Sequence, residues 1–245
     1  MSEIKLYHGD CLEVMKSISD KTIDCIITDP PFGITNNKWD SVIDITIMWQ
    51  HLNRIIKDKG AILLFGQPPF SSMLIMSNIK MFRYEYIWCK NLSVGFLNAN
   101  KMPLRATENI SVFYKNLPTY NPQMRYDGTP YIKYRKDLKS ANYGEHKGQT
   151  GINTDGSRYP NNLLYYNNSD HLKLYHPTQK PVALCEYLIK TYTNKNETIL
   201  DFTIGSGSTG VACKRLNRNF IGIELDKNYF EIAKERIENT TKNLF

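Results

Sequence analysis

Two stretches of this 245-residue chain hold side chains whose types and spacing suit chemistry. The first is Thr28-Asp29-Pro30-Pro31-Phe32-Gly33, which follows the apolar run Ile23-Asp24-Cys25-Ile26-Ile27. Pro30 and Pro31 donate no backbone N–H and fix φ, so the chain leaves a strand stiffly and nearby carbonyls stay open as acceptors. Asp29 adds a carboxylate acceptor and Phe32 a flat apolar face. Together they suit a planar group with an exocyclic amine, such as a nucleobase taken out of its stack. Asp-Pro-Pro is also a common way to end a strand in a turn, and on this stretch alone the turn is the simpler reading.

The second stretch runs from Glu197-Thr198-Ile199-Leu200-Asp201-Phe202, a predicted strand, into Thr203-Ile204-Gly205-Ser206-Gly207-Ser208-Thr209-Gly210. A helix over 211–216 and a strand over 220–225 follow, and that strand carries Glu224, 19 residues after Gly205. Strand, G-x-G-x-x-G, helix, strand, acid is the dinucleotide-type fingerprint in its proper context. The glycines let backbone approach a ligand, and the acid is placed to take ribose hydroxyls. A nicotinamide dinucleotide uses this geometry. S-adenosylmethionine (AdoMet) can use the same ribose acid without a phosphate site. Asp10 and Asp201 favour AdoMet, because acids at strand ends pair with an ammonium or an adenine amine and repel a pyrophosphate.

The elements that must position these stretches read as an alternation of strand and helix. A short strand over 4–7 leads to Gly9-Asp10, with Asp10 capping a helix over 11–17. After the strand ending at Asp29, apolar residues at Ile45, Met48, Trp49, Leu52, Ile55 and Ile56 recur at helical spacing, with Lys59-Gly60 as the expected stop. Ala61 to Phe65 is a continuous apolar run, the mark of a strand buried on both faces. A helix over 70–79, a strand over 84–88 and an antiparallel strand over 110–114 follow. A helix from Pro181 to about Tyr192 precedes the second stretch, and Asp226 caps a last helix with Tyr229, Ile232, Ala233 and Ile237 on one face. This pattern predicts an α/β fold with a doubly wound, mostly parallel sheet.

Composition limits the function classes. The formal net charge is +7, which favours acidic partners such as nucleic acid. Between Asn91 and Tyr175 there are 11 Lys or Arg against 6 Asp or Glu, and 10 of the 16 tyrosines. Basic side chains interleaved with tyrosines suit phosphate contacts and stacking, although an irregular subdomain with a solvated surface has the same composition. The five cysteines form no C-x-x-C pair and read as reduced core thiols of a cytoplasmic protein. The N-terminus shows no signal-peptide pattern, no apolar run approaches a membrane span, and no metal-ligand pattern is present.

With these residues set out, a family is recognisable. Asp29-Pro30-Pro31-Phe32 resembles the catalytic motif of amino-directed DNA methyltransferases, and Asp201-Phe202-x-x-Gly205-Ser206-Gly207-Ser208-Thr209 resembles their AdoMet-binding motif. The order, catalytic motif first and AdoMet motif last, resembles the β-group of the N6-adenine/N4-cytosine family. His176-Pro177-Thr178-Gln179-Lys180-Pro181 resembles the segment preceding the AdoMet strand in that group, and Gly9-Asp10-Cys11, Trp39-Asp40 and Trp88-x-Lys90 also look familial. The likeness covers about residues 4–116 and 174–240. Two departures stand out: Phe202-Thr203 replaces the usual Pro-Phe, and Phe32 replaces the commoner Tyr.

The resemblance implies a circularly permuted sheet of the AdoMet-methyltransferase (Rossmann-like) type. Residues 1–116 form its catalytic part, 117–173 a target-recognition insertion and 174–245 its AdoMet-binding part. It implies direct methyl transfer from AdoMet to the exocyclic amine of a flipped base in double-stranded DNA. Asp29 and the Pro30 carbonyl accept the amine hydrogens, Pro31 shapes the turn and Phe32 stacks on the base. Asp10 takes the adenine amine of AdoMet and Glu224, with Leu225, its ribose. Thr178 and Lys180 lie near the methionine end, and Asp201, Phe202, Thr203, Gly205, Ser206 and Gly207 line the rest. An acid opening the motif leans to N6-adenine over N4-cytosine. A homodimer and a cognate restriction endonuclease are compatible with the family. Rival readings are an N4-cytosine DNA methyltransferase, a nicotinamide-dependent oxidoreductase, which leaves the Asp29 stretch without purpose, and a non-catalytic DNA-binding protein.

Overall fold

The continuous apolar runs are explained by a sheet buried on both faces. Along the strand at Cys25 to Ile27, Cys25 and Ile27 point into one core and Ile26 into the other. Ala61, Leu63 and Phe65 alternate with Ile62 and Leu64 in the same way. A two-residue side-chain period with helices on both sides demands apolar residues at every position.

The computed structural model describes residues 2–31, 43–134, 136–140, 142, 144–168, 175 and 178–241. Two compact units are present: Met1–Asn121 with Asn162–Phe245, and Pro122–Asn161. In chain order the larger unit begins with β1 (Ile4–His8), α1 (Cys11–Met15), β2 (Ile23–Thr28), α2 (Ile45–Ile55), β3 (Ile56–Gly66), α3 (Phe70–Ser77), β4 (Phe82–Val94) and β5 (Arg105–Phe113). The smaller unit holds β6 (Tyr131–Tyr134), β7 (Leu138–Ser140), β8 (Gly144–His146) and β9 (Thr150–Asn153), paired antiparallel as β6 with β9 and β7 with β8. The larger unit resumes with β10 (Leu163–Tyr165), α4 (Val182–Tyr192), β11 (Thr198–Asp201), α5 (Ser208–Arg215), β12 (Asn219–Glu224) and α6 (Lys227–Glu238).

The main sheet has the order β1-β12-β11-β2-β3-β5-β4-β10. Within it β5 runs against both β3 and β4, and the other pairings are parallel. Side chains of α4, α5 and α6 fill one core and those of α1, α2 and α3 the other. The first strand of the chain, β1, pairs with the last, β12, from Ile4↔Phe220 to His8↔Glu224. That pairing is the permutation: the chain closes its sheet by bringing its two ends side by side. It also makes β11 and β2 central neighbours, joined through Ile199↔Cys25 and Leu200↔Ile26. From β11 the chain proceeds outward to β12, and from β2 it proceeds the other way to β3. The crevice beyond the carboxyl ends of such a pair is where open α/β sheets bind ligands.

Two expectations need correction. Lys59-Gly60 does not stop α2, which ends at Ile55 with Ile56 as its cap. Residues 57–60 belong instead to a longer β3, held to the β2 side by Lys57 on Asp24 at 2.6 Å and by Lys21 on Asp58 at 2.9 Å. Pro181 is the N-cap of α4, one residue outside the helix it was expected to open.

Candidate active site

A cavity of about 580 Å³ opens at the carboxyl ends of β1, β2, β3, β11 and β12. Its size lies within the roughly 300–1,000 Å³ usual for small-molecule sites. Asp10, Asp29, Pro30, Pro31, Thr178, Lys180, Asp201, Phe202, Thr203, Gly205, Ser206, Glu224 and Leu225 all line it. The two chemical stretches, 172 residues apart between Asp29 and Asp201, therefore share one space. Gly207 sits just behind the wall as the N-cap of α5, and its φ of +80° with Ala233 3.0 Å from a would-be Cβ admits no side chain comfortably. Phe32 and the His176-Pro177 and Trp39-Asp40 pairs lie outside the described residues.

The strand ends are tied together by hydroxyls. Thr28, fully buried at the end of β2, donates to Asp201 Oδ1 at 2.6 Å. The same carboxylate oxygen accepts the Thr203 amide at 3.2 Å. The Thr203 hydroxyl donates to the Asp29 carbonyl at 3.0 Å. Thus Thr203, which stands where the family's aromatic was expected, fixes the backbone of the Asp29 turn. Phe202 is buried in the core beneath it. Burial pushes the Asp201 carboxyl up to about 6, against the Thr28 hydroxyl that favours its ionised form.

On the glycine side, Glu224 Oε2 accepts the Gly205 amide at 2.8 Å and Oε1 accepts the Asp226 amide at 2.9 Å. A carboxylate offers about four acceptor sites, so two backbone bonds orient it and leave capacity for ribose hydroxyls. Burial raises its pKa, and the amides at Asp226 and Gly205 oppose that. Asp10 Oδ1 caps α1 on the Leu12 amide at 2.7 Å, the local reason that this acid sits at the cavity rim. Ser206 is pinned from both sides: its hydroxyl lies 3.1 Å from Gln179 Oε1 and Arg236 donates to its carbonyl at 3.0 Å.

Asp29 has its own surroundings. Lys180 Nζ donates to Asp29 Oδ2, and Asp29 Oδ1 is buried with no hydrogen-bond partner among the described residues. Lys180 also lies 3.2 Å from Glu108 Oε1, and Lys90 donates to Glu108 Oε2 at 2.7 Å. Burial pushes the Asp29 carboxyl up to about 6, with Lys180 pulling the other way. Between its two acids the Lys180 ammonium stays protonated. The Glu108 carboxyl is held low despite its burial, because Lys180 and Lys90 outweigh the desolvation. Sequence reading placed Lys180 near a methionine end; here its ammonium lies on Asp29. It missed Thr28 and Glu108. The available signal for Glu108 was an acid beside an apolar strand, which was drawn to begin two residues later.

The lining holds the acids Asp10, Asp29, Asp44, Glu108, Asp201 and Glu224 against the cations Lys90, Arg105 and Lys180. Such a wall suits a cationic ligand with a sugar and an amine, and it lacks the cationic cradle a pyrophosphate needs. A doubly wound sheet with this wall and a glycine turn after β11 fits a Rossmann-like AdoMet-dependent methyltransferase better than a dinucleotide-binding enzyme. Known proteins narrow that class. The N6/N4 methyltransferase model, described as DNA methylase, matches residues 23–235, and the chain belongs to this family. The Type II methyltransferase M1.MboII of Moraxella bovis is 27% identical over 256 residues, covering 94% of each chain. The crystal structure of the M1.HpyAVI–SAM complex matches with a TM-score of 0.63 at 28% identity, covering 96% of this chain and 98% of that one. The cytosine-N4-specific PvuII DNA methyltransferase shares the fold, with a TM-score of 0.69 at 19% identity over 99% of this chain and 89% of its own.

Proposed function

We propose that this DNA methyltransferase modifies the N6 amine of an adenine flipped out of double-stranded DNA. The observation that carries the reading is Asp29: a carboxylate at the end of β2, in the same cavity as the Gly205 turn, with one oxygen buried and unpaired among the described residues. Glu224 and the Gly205 turn would hold AdoMet, which would supply an electrophilic methyl group on a sulfonium sulfur, the sulfur keeping the S–C electron pair.

The protein's part is positioning. An exocyclic amine is a poor nucleophile because its lone pair is delocalised into the ring. Asp29 and the Pro30 carbonyl accept its two hydrogens, which orients the nitrogen and favours a pyramidal lone pair aimed at the methyl group. Phe32 supplies the stacking face. As the nitrogen takes the methyl group it becomes cationic, and the proton it sheds passes to the Asp29 carboxylate. Protonated Asp29 is a weaker acceptor and cannot take the amine's proton, so transfer weakens as pH falls through about 6. Preference for adenine rests on the acid that opens the motif, where a serine leans to N4-cytosine.

The test is product analysis. Protein, labelled AdoMet and DNA from a methylation-free host are incubated, the DNA is digested, and the nucleosides are separated. Label in N6-methyldeoxyadenosine is expected. Label in N4-methyldeoxycytidine overturns the base assignment and keeps the class. DNA binding without incorporation on any sequence points to a non-catalytic protein.

A further inference from the structure

Four charged side chains form a line that begins at Asp29 and leads into the protein. Lys180 Nζ bridges Asp29 Oδ2 and Glu108 Oε1, and Lys90 Nζ holds Glu108 Oε2 at 2.7 Å. Side-chain exposure along the line is 22%, 11%, 6% and 8%. The Lys180 ammonium lies 5.3 Å from the centre of the Phe65 ring and that of Lys90 4.8 Å from the Trp88 ring. Buried ion networks are often replaceable by apolar side chains with no loss of stability, so stability is a weak reason for one here. Buried carboxylate oxygens without a hydrogen bond are costly, and among the described residues Asp29 Oδ1 and Glu108 Oε1 are such atoms; Glu108 Oε1 has the Lys180 ammonium 3.2 Å away, whereas Asp29 Oδ1 has no ion partner. An acceptor reserved for a ligand explains both the network and the unpaired Asp29 oxygen.

We propose that Glu108 and Lys180 are positioning residues for methyl transfer: Glu108 anchors the Lys180 ammonium, and the ammonium fixes Asp29 through Oδ2 so that Oδ1 is the oxygen left for the target amine. This deepens the assignment of Asp29 as amine acceptor and rests on it. A lysine alone is a point charge on a flexible stem. Tied to two carboxylates at once, its ammonium has little freedom, and the carboxylate it holds inherits that order. Glu108 in turn is held by Lys90.

The same line sets the charge balance at Asp29. Burial and Glu108 oppose its ionised form, whereas Lys180 and Lys90 favour it. Removing a member therefore moves the acid limb of the rate in a direction fixed by that member's sign. Glu108→Gln removes a like charge and leaves Lys180 wholly to Asp29, so the limb moves to lower pH. Lys180→Gln removes the opposite charge, so the limb moves to higher pH.

Single-turnover methyl transfer is measured from pH 5 to 8 with saturating AdoMet on DNA from a methylation-free host, together with AdoMet affinity by calorimetry. Both variants are expected to lose tenfold or more in rate, with acid limbs displaced in opposite directions by about half a pH unit or more and AdoMet affinity within threefold of the parent. Lys180→Arg, which keeps the charge, is expected to keep the limb in place, and it serves if Lys180→Gln does not fold. Unmoved limbs, limbs displaced in the same direction, or an AdoMet affinity falling as far as the rate would each overturn the proposal; the last would return Lys180 to the methionine end. If the parent protein methylates and Asp29→Ala still does, the assignment of Asp29 fails and takes this inference with it.

Discussion

Asp29 and Glu224 line one cavity and are set apart by what holds them. Asp29 is oriented by a cation and has an oxygen unpaired among the described residues, whereas Glu224 is oriented by two backbone amides, Gly205 at the glycine turn and Asp226 after β12. Their substitutions should therefore separate. Asp29→Ala is expected to abolish methyl transfer while AdoMet affinity stays nearly intact, because the role proposed for Asp29 is toward the base. Glu224→Ala should weaken AdoMet binding by on the order of 1–3 kcal/mol, as for a lost buried hydrogen-bonding partner. Calorimetry with AdoMet alone, beside a transfer assay, reads both; equal loss of AdoMet binding in the two variants would show that the roles are not divided.

The turn between β11 and α5 shows how an element serves those residues. Gly210 lies in the first turn of α5, and a Cβ there would sit 2.3 Å from Ile237 Cδ1 and 2.8 Å from the Phe220 ring. Its absence is what lets α5 pack down between β12 and α6. Gly210→Ala should therefore destabilise by about 1–3 kcal/mol through overpacking, lowering Tm by roughly 2–4 °C per kcal/mol in a chain of this size. An unchanged Tm in thermal unfolding would mean that α5 has room to spare. Much of this was legible in the sequence, because the apolar runs of β2, β3 and β11 are buried and have no competing explanation. The Gly205 turn and Glu224 were legible because spacing fixes them. The charged residues at 57–59 hid the start of β3: Lys57 finds an ion partner on β2 and Asp58 one just before it, which no local pattern announces. Glu108 stayed hidden because its partners, Lys90 and Lys180, come from elements distant in the chain.

At the scale of the whole molecule, permutation and charge matter most. Pairing β1 with β12 lets one chain present its Asp29 turn and its glycine turn on neighbouring central strands. The smaller unit, Pro122–Asn161, has a different character. Its strands expose Tyr131 and Tyr134, and Tyr126 and Tyr159 are also exposed. Arg158 packs over the Tyr131 ring at 5.1 Å and donates to the Thr129 carbonyl at 2.6 Å. Gly156 has a φ of +72°, and a Cβ there would collide with the Gly128 carbonyl at 2.2 Å, so the unit is closed by backbone fit as much as by a core. Exposed tyrosines among basic residues suit stacking and phosphate contacts, which supports the expectation of a target-recognition insertion over 117–173. On that expectation a target sequence is read by side-chain positions on a surface, where neither periodicity nor spacing constrains residue type. The most direct test of the whole account is to express the protein in a host free of DNA methylation and sequence that host's DNA by a single-molecule method that reports modified bases. The account predicts N6-methyladenine within one recurring sequence, absent when the protein carries Asp29→Ala; no methylated base, or methylation that survives Asp29→Ala, would contradict it.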